Sequence, residues 1–192
     1  RKICDLPGGK QDQFAAAFGG FNFMEFLKDG RTIVNPLRLN NKTQNMMELS
    51  TVLYYVGKPR KDSRVIENTA KGLVSSETVL HATHEIRNAC INYKRSLLMG
   101  DFDMISELME TYWRMKLETN PNVASPEILD SYDYARKNGA TAAKISGAGG
   151  GGHMVLFTEF EERHKLISAL KKKEGRVVPF KFVNHGVHVW RQ

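Results

Sequence analysis

Residues 146–152 read Ser-Gly-Ala-Gly-Gly-Gly-Gly, and five glycines in six positions constrain this chain more than any other feature. Ordering glycine costs more backbone freedom than ordering any other residue, so such a run lies inside neither a helix nor a strand. β-favourable residues stand on both sides, at 142–146 and 153–158, which predicts two strands joined by the glycines. The absence of side chains lets successive backbone N–H groups turn toward one anion, as in phosphate-binding nests. The plainer alternative is a flexible turn between the strands. Gly147, Gly149 and Gly152 satisfy G-x-G-x-x-G in form, but a dinucleotide site needs a helix after the glycines, and here a strand-like segment follows. The loop does not end in Gly-Lys-Ser/Thr either, so it is not a P-loop of the Walker type. Lys144 and Ser146 sit beside the glycines.

A second segment, Pro7-Gly8-Gly9-Lys10-Gln11-Asp12-Gln13, leads into the Ala-rich stretch 11–18, which Gly19-Gly20 is placed to end as a helix. Asp12 then falls in the first turn, where a carboxylate is electrostatically favoured. Two readings stay open for it. It is a helix-terminal residue with no further role, or it is a carboxylate aimed at a substrate hydroxyl, which phosphoryl transfer uses to orient or deprotonate the attacking oxygen.

Between these motifs, residues 21–27 and 32–39 flank the turn Lys28-Asp29-Gly30-Arg31 and predict a hairpin. Residues 51–56 predict a strand closed by Gly57 and Pro59. The period then changes. Val65, Ile66, Thr69, Ala70 and Leu73 fit a helix, as do Val79, Ala82, Ile86, Cys90, Tyr93 and Leu97. Gly100-Asp101 begins another, with Phe102, Ile105, Met109 and Tyr112 on one face. Ser125-Pro126 starts a helix that Asn138-Gly139 stops. Residues 161–173 are amphipathic, and 177–183 with 186–190 alternate as a closing hairpin. Strands gather at both ends around a run of helices, which predicts an α+β fold.

With 192 residues, 41% of them hydrophobic, the chain can bury one large core or two small ones. No apolar run approaches the ~20 residues a membrane span requires. No leader is visible at Arg1-Lys2, and a chain that starts without Met in mid-motif reads as a fragment. Cys4 and Cys90 are the only cysteines, which suits a reduced, cytoplasmic setting. A net charge of +7 favours anionic partners, whether nucleic acid, membrane surface or phosphorylated small molecules. His81/His84 and His185/His188 are spaced i, i+3 without further ligands, and no metal-binding cluster is expected. Neither cysteine has a neighbouring His, and no nucleophile elbow occurs, so nucleophilic catalysis has no candidate.

Gly9-Lys10-Gln11-Asp12-Gln13 followed by the glycine loop after Lys144-Ile145-Ser146 resembles the GHMP kinases, the family of galactokinase, homoserine kinase, mevalonate kinase and phosphomevalonate kinase. Residues 11–13, 15–22, 53–57 and 177–182 are similar to the sugar-kinase branch that acts on heptose 7-phosphate and on fucose. The resemblance implies the end of an S5-like N-terminal domain (1–45) followed by a ferredoxin-like C-terminal domain (46–192). The family's earlier Pro-x-x-x-Gly-Leu-Gly-Ser-Ser-type loop does not occur in the chain, so the main phosphate loop and adenine pocket fall outside it and the kinase is incomplete. The implied activity is ATP- and Mg²⁺-dependent phosphorylation of the anomeric hydroxyl of a heptose 7-phosphate. Asp12 would be catalytic, Gly9, Lys10 and Gln11 would bind substrate, and Ser146, Gly147, Ala148, Gly149, Gly150 and Gly151 would line the phosphates. No metal ligand is expected within the chain, and neither nucleic acid nor membrane is an expected partner. Lys10, two residues from Asp12, is the candidate for contact with a phosphate on the sugar. The alternatives are a kinase of an unphosphorylated sugar, resembling fucokinase or galactokinase, and a basic RNA-binding α+β domain using Phe180, Phe182 and Trp190.

Overall fold

Four antiparallel strands organise the molecule: β3 (Thr51–Gly57), β4 (Ala140–Ile145), β5 (Gly152–Thr158) and β6 (Arg176–Val178), laid side by side as β4-β5-β3-β6. The computed structural model describes residues 9–57, 64–147 and 149–190. The first and third strands of this sheet occupy its centre, the second and fourth its edges. Helices cross between first and second and between third and fourth, which is the split βαβ order of ferredoxin-like folds. The expected α+β class is therefore what the chain adopts.

Period-two alternation places one set of side chains on each face of the sheet. Val52, Tyr54, Ala143, Ile145, Met154 and Leu156 are buried with Trp113, Ile128, Leu166 and Leu170. On the other face Ala142 and Phe157 are buried with Met47, Leu97, Ile105 and Met109. The first group packs under α6 (Pro126–Lys137) and α7 (Arg163–Leu170), and α4 (Glu77–Met99) and α5 (Phe102–Thr119) enclose the second. α3 (Arg64–Ser75) precedes α4. Three helix starts and one stop follow from local chemistry. Ser76, Asp101 and Ser125 accept N–H bonds from the first turns of α4, α5 and α6, and Gly100 ends α4 in the left-handed region at φ 70°.

Ahead of the sheet, α1 (Gln11–Phe18) ends at Gly19 and leads into the hairpin β1 (Asn22–Phe26) and β2 (Thr32–Pro36), both as the sequence predicts. Asp29 closes the hairpin turn by accepting the Arg31 backbone N–H at 3.0 Å.

Two elements depart from expectation. Residues 41–50, with no strong apolar period, form α2 (Asn41–Ser50), started by Asn40, whose side chain accepts the Thr43 N–H at 2.8 Å. The predicted closing hairpin is absent. β6 pairs with β3 only over Leu53↔Val178 to Tyr55↔Arg176, and no strand follows in 179–190. Pro179 lacks the N–H needed to continue a ladder. The segment instead runs back across the start of the chain. Val183 accepts the Gly20 N–H at 2.7 Å, the Val187 N–H donates to Ala16 at 3.1 Å, and the Phe182 N–H donates to Glu48 at 3.2 Å. Phe182 packs against Phe21 with ring centroids 4.8 Å apart. Among the described residues, no helix is long and apolar enough to cross a membrane.

Candidate active site

Asp12 lies in the first turn of α1, which exposes most of its residues and buries none. Lys10 holds the N-cap position without capping through its side chain, so the helix start is left to the backbone. Together with the hairpin, α1 forms part of the wall of a cleft of about 590 Å³. Gln11, Asp12 and Ala15 come from α1, Phe21 through Met24 and Phe26 from the hairpin, Cys90, Tyr93 and Lys94 from α4, Tyr112 from α5 and Lys144 from β4. Ridge positions three and four apart on α4, Cys90, Tyr93, Lys94 and Leu97, project along one line into this space.

The electrostatics of the cleft follow from its largely apolar lining. Burial pushes the Tyr93 phenol up to about 12 and raises the Tyr112 phenol and the Cys90 thiol as well. Burial also lowers the Lys144 ammonium below the ordinary lysine value. Nearby Lys116 lowers it further, and Cys90 opposes both. The Lys144 Nζ stands 4.6 Å from the centre of the Tyr112 ring, and the Lys94 Nζ stands 4.1 Å from that of Phe23.

The other expected site residues are placed as follows. Gln11 lines the cleft beside Asp12. The Lys10 Nζ donates to the Gly30 carbonyl at 3.0 Å, across the hairpin turn, and neither Lys10 nor Gly9 is part of the cleft lining. The glycine loop joins β4 to β5 as predicted. Ser146 donates its N–H to the His153 carbonyl at 2.8 Å, and the Gly150 N–H donates to Val123 at 2.8 Å. Gly147, Gly149, Gly150 and Gly151 all have positive φ. Ala148 lies outside the described residues. The loop meets the short 3-10 turn Pro121–Val123 and is not part of the lining of the Asp12 cleft.

Sequence reasoning missed Lys94, Lys144, Tyr93 and Tyr112 as cleft residues. The two tyrosines carry the same period as core positions, and nothing local separates a residue facing a core from one facing a cleft. Lys144 offered a signal, an isolated charge within a strand of small and apolar residues. Among the described residues, no three of His, Cys, Asp or Glu come together as a metal-binding group. Cys90 is a free thiol, and Cys4 lies outside the described residues.

Residues 89–176 match the family model described as GHMP kinases C terminal. Over 191 residues the chain is 40% identical to D-glycero-alpha-D-manno-heptose 7-phosphate kinase of Campylobacter jejuni, an alignment that takes in 100% of this chain and 56% of the relative. A solved structure of a D-glycero-D-manno-heptose 1-phosphate kinase from Bacteroides thetaiotaomicron superposes with a TM-score of 0.76 at 32% identity, over 100% of this chain and 52% of that one. A putative sugar kinase from Campylobacter jejuni gives 0.75 at 38% identity, over 100% and 54%. Mevalonate kinase of L. major, at 19% identity and a TM-score of 0.67 over 90% of this chain and 51% of that one, shares the fold. The chain spans about half the length of the relatives it matches.

Proposed function

We propose that this chain, whose residues 89–176 match the family model described as GHMP kinases C terminal, is part of an ATP-dependent kinase that phosphorylates a hydroxyl of a heptose phosphate. The observation that carries this reading is the position of Asp12, in the first turn of α1 and on the wall of a cleft large enough for a sugar phosphate. The sugar hydroxyl oxygen attacks the γ-phosphorus of ATP, the bond to the ADP oxygen breaks, and the hydroxyl proton passes to the Asp12 carboxylate and on to solvent. Such a transfer asks the protein for positioning and charge stabilisation more than for covalent chemistry. The left-handed backbone of Gly147, Gly149, Gly150 and Gly151 supports a role for the β4–β5 loop near the ATP phosphates, although the Gly150 N–H is already committed to Val123. Gln11 lines the cleft beside Asp12, which supports a contact with the sugar.

Mg²⁺ accompanies ATP in this reading, and the setting is cytoplasmic, in keeping with a chain that has only two cysteines. The division into an N-terminal portion (1–45) and a C-terminal domain (46–192) is part of the same proposal, with α2 straddling the join.

ADP release by the full-length protein that contains this chain, with ATP, Mg²⁺ and D-glycero-D-manno-heptose 7-phosphate, set beside free fucose and galactose, is the test. The heptose phosphate is expected to turn over, and Asp12→Asn is expected to lower kcat about 100-fold or more while thermal unfolding stays in place. Turnover on the free sugars alone would move the enzyme to the fucokinase type. Absence of ADP release, together with oligonucleotide binding that weakens steeply with salt, would favour the RNA-binding alternative.

A further inference from the structure

We infer that Lys144 and Lys94 form the anion-holding end of the cleft and take a phosphate group carried by the sugar substrate, remote from the hydroxyl that reacts at Asp12. This rests on the kinase reading above and adds a specificity element to it.

The two lysines contrast with the ion-paired lysines of the molecule. Lys165, Lys173 and Lys181 lie against the carboxylates of Glu162, Asp130 and Glu48 at 2.7, 2.5 and 3.8 Å. Among the described residues, neither Lys144 nor Lys94 has such a partner. Each meets an aromatic ring instead. An ammonium in largely apolar surroundings is costly unless an opposite charge compensates it. Lys116 adds repulsion at Lys144, and burial already disfavours the charged form of this lysine. A phosphate entering the cleft removes that penalty with charge-assisted hydrogen bonds.

Placement argues for the sugar as the source of the phosphate. Both lysines line the same cleft as Asp12 and Gln11, whereas the glycine loop is not part of that lining. Lys10, the expected phosphate contact, is turned toward the Gly30 carbonyl. The aromatic side chains of Phe21, Phe23 and Phe26 supply the rest of a wall suited to the carbon face of a sugar. A ligand with its reactive hydroxyl at Asp12 and its phosphate at the lysines keeps the anion away from the Asp12 carboxylate.

The test compares binding of D-glycero-D-manno-heptose 7-phosphate, the same heptose without phosphate, and ADP by calorimetry. The proteins are the full-length protein that contains this chain and its Lys144→Met, Lys94→Met and Asp12→Asn variants, with ADP release measured in parallel. The wild type should prefer the phosphorylated sugar by at least about tenfold, the scale of one charge-assisted contact. Lys144→Met should bring the two sugars to within about threefold and leave ADP binding unchanged, with Lys94→Met acting in the same direction. Asp12→Asn should retain the preference and lose turnover. Methionine matches the length of the lysine stem, and the Lys94 variant keeps the test open if Lys144→Met fails to fold. Equal weakening of both sugars, no change in preference, or weakening of ADP alone would each overturn the inference. A lysine-dependent preference without ADP release would sink the kinase reading and leave the subsite standing. Asp12-dependent turnover with an unaltered preference would do the reverse.

Discussion

The glycine loop shows how individual residues differ within one repetitive stretch. Gly149 has φ +106°, and a Cβ there would stand 2.7 Å from the Val123 carbonyl oxygen. Gly150, at φ +81°, has open space where its Cβ would be. Both positions disfavour a side chain through backbone strain, on the order of 1–3 kcal/mol, but only Gly149 adds a clash with backbone that cannot move aside cheaply. Gly149→Ala is therefore expected to lower the midpoint of thermal unfolding more than Gly150→Ala. Equal losses in the two variants would show that conformation alone, without the close approach to Val123, explains the run. Composition marks the loop as special, whereas contact with Val123 determines which glycine is least replaceable.

Among elements, the outer edge of β4 is the clearest case of a backbone need met by side chains. An edge strand leaves N–H and C=O groups without ladder partners. Glu110 on α5 accepts the Ala143 N–H at 2.8 Å and the Tyr132 hydroxyl of α6 at 2.5 Å, while Arg136 donates to the Ala140 carbonyl at 2.8 Å. Two helices are thereby tied to one strand through its exposed edge. Burial, followed by the Glu110 hydrogen bond and charge, pushes Tyr132 up to about 12. A phenol whose folded value is raised above its unfolded value contributes stability that is present below about pH 10 and is lost as pH rises toward the folded value. Tyr132→Phe should cost about 1 kcal/mol at pH 8, discounted for partial solvent exposure. The gap to the wild type in urea unfolding should then narrow between pH 10 and 12. A gap that is constant with pH would remove Glu110 and Tyr132 from the account.

At the scale of the whole molecule, residues 182–187 fasten α1 and the hairpin to the rest. Besides the backbone bonds to Gly20 and Ala16 and the Phe182 N–H bond to the Glu48 carboxylate, the Asn184 Oδ1 accepts from Gln44 at 3.3 Å. A Cβ on Gly186 would stand only 2.0 Å from the Ala17 carbonyl oxygen. Gly186→Ala should thus loosen α1, and Asp12 with it, without entering the sheet. Hydrogen exchange is expected to quicken at α1 amides and to stay unchanged in β3 and β5. Faster exchange in the sheet as well would mean that the segment is part of the main cooperative unit.

Much of this architecture is legible in the residues. Ser125-Pro126, Gly100-Asp101 and the alternation in β3, β4 and β5 are local signals, and the elements they mark form where expected because capping and period act within a few residues. Asp12 and the glycine loop are visible for the same reason, each being an unusual composition over a short span. α2 was not legible, since its polar run Asn41-Lys42-Thr43-Gln44-Asn45 lacks a clear stripe and the helix is secured by Asn40 and the burial of Met47. Residues 186–190 alternate like a strand, yet no strand partner lies within their reach, and pairing is a property of two segments. Cys90, Tyr93 and Tyr112 read as core from their spacing, and only the hairpin and α1, arriving from far along the chain, make the space in front of them a cleft. By itself the sequence determined where most of the helices and strands begin and which short motifs are candidates for chemistry. Tertiary structure alone decided which helical face meets solvent, which lysines go without carboxylate partners and where the C-terminal segment docks, because those depend on contacts between residues distant in sequence.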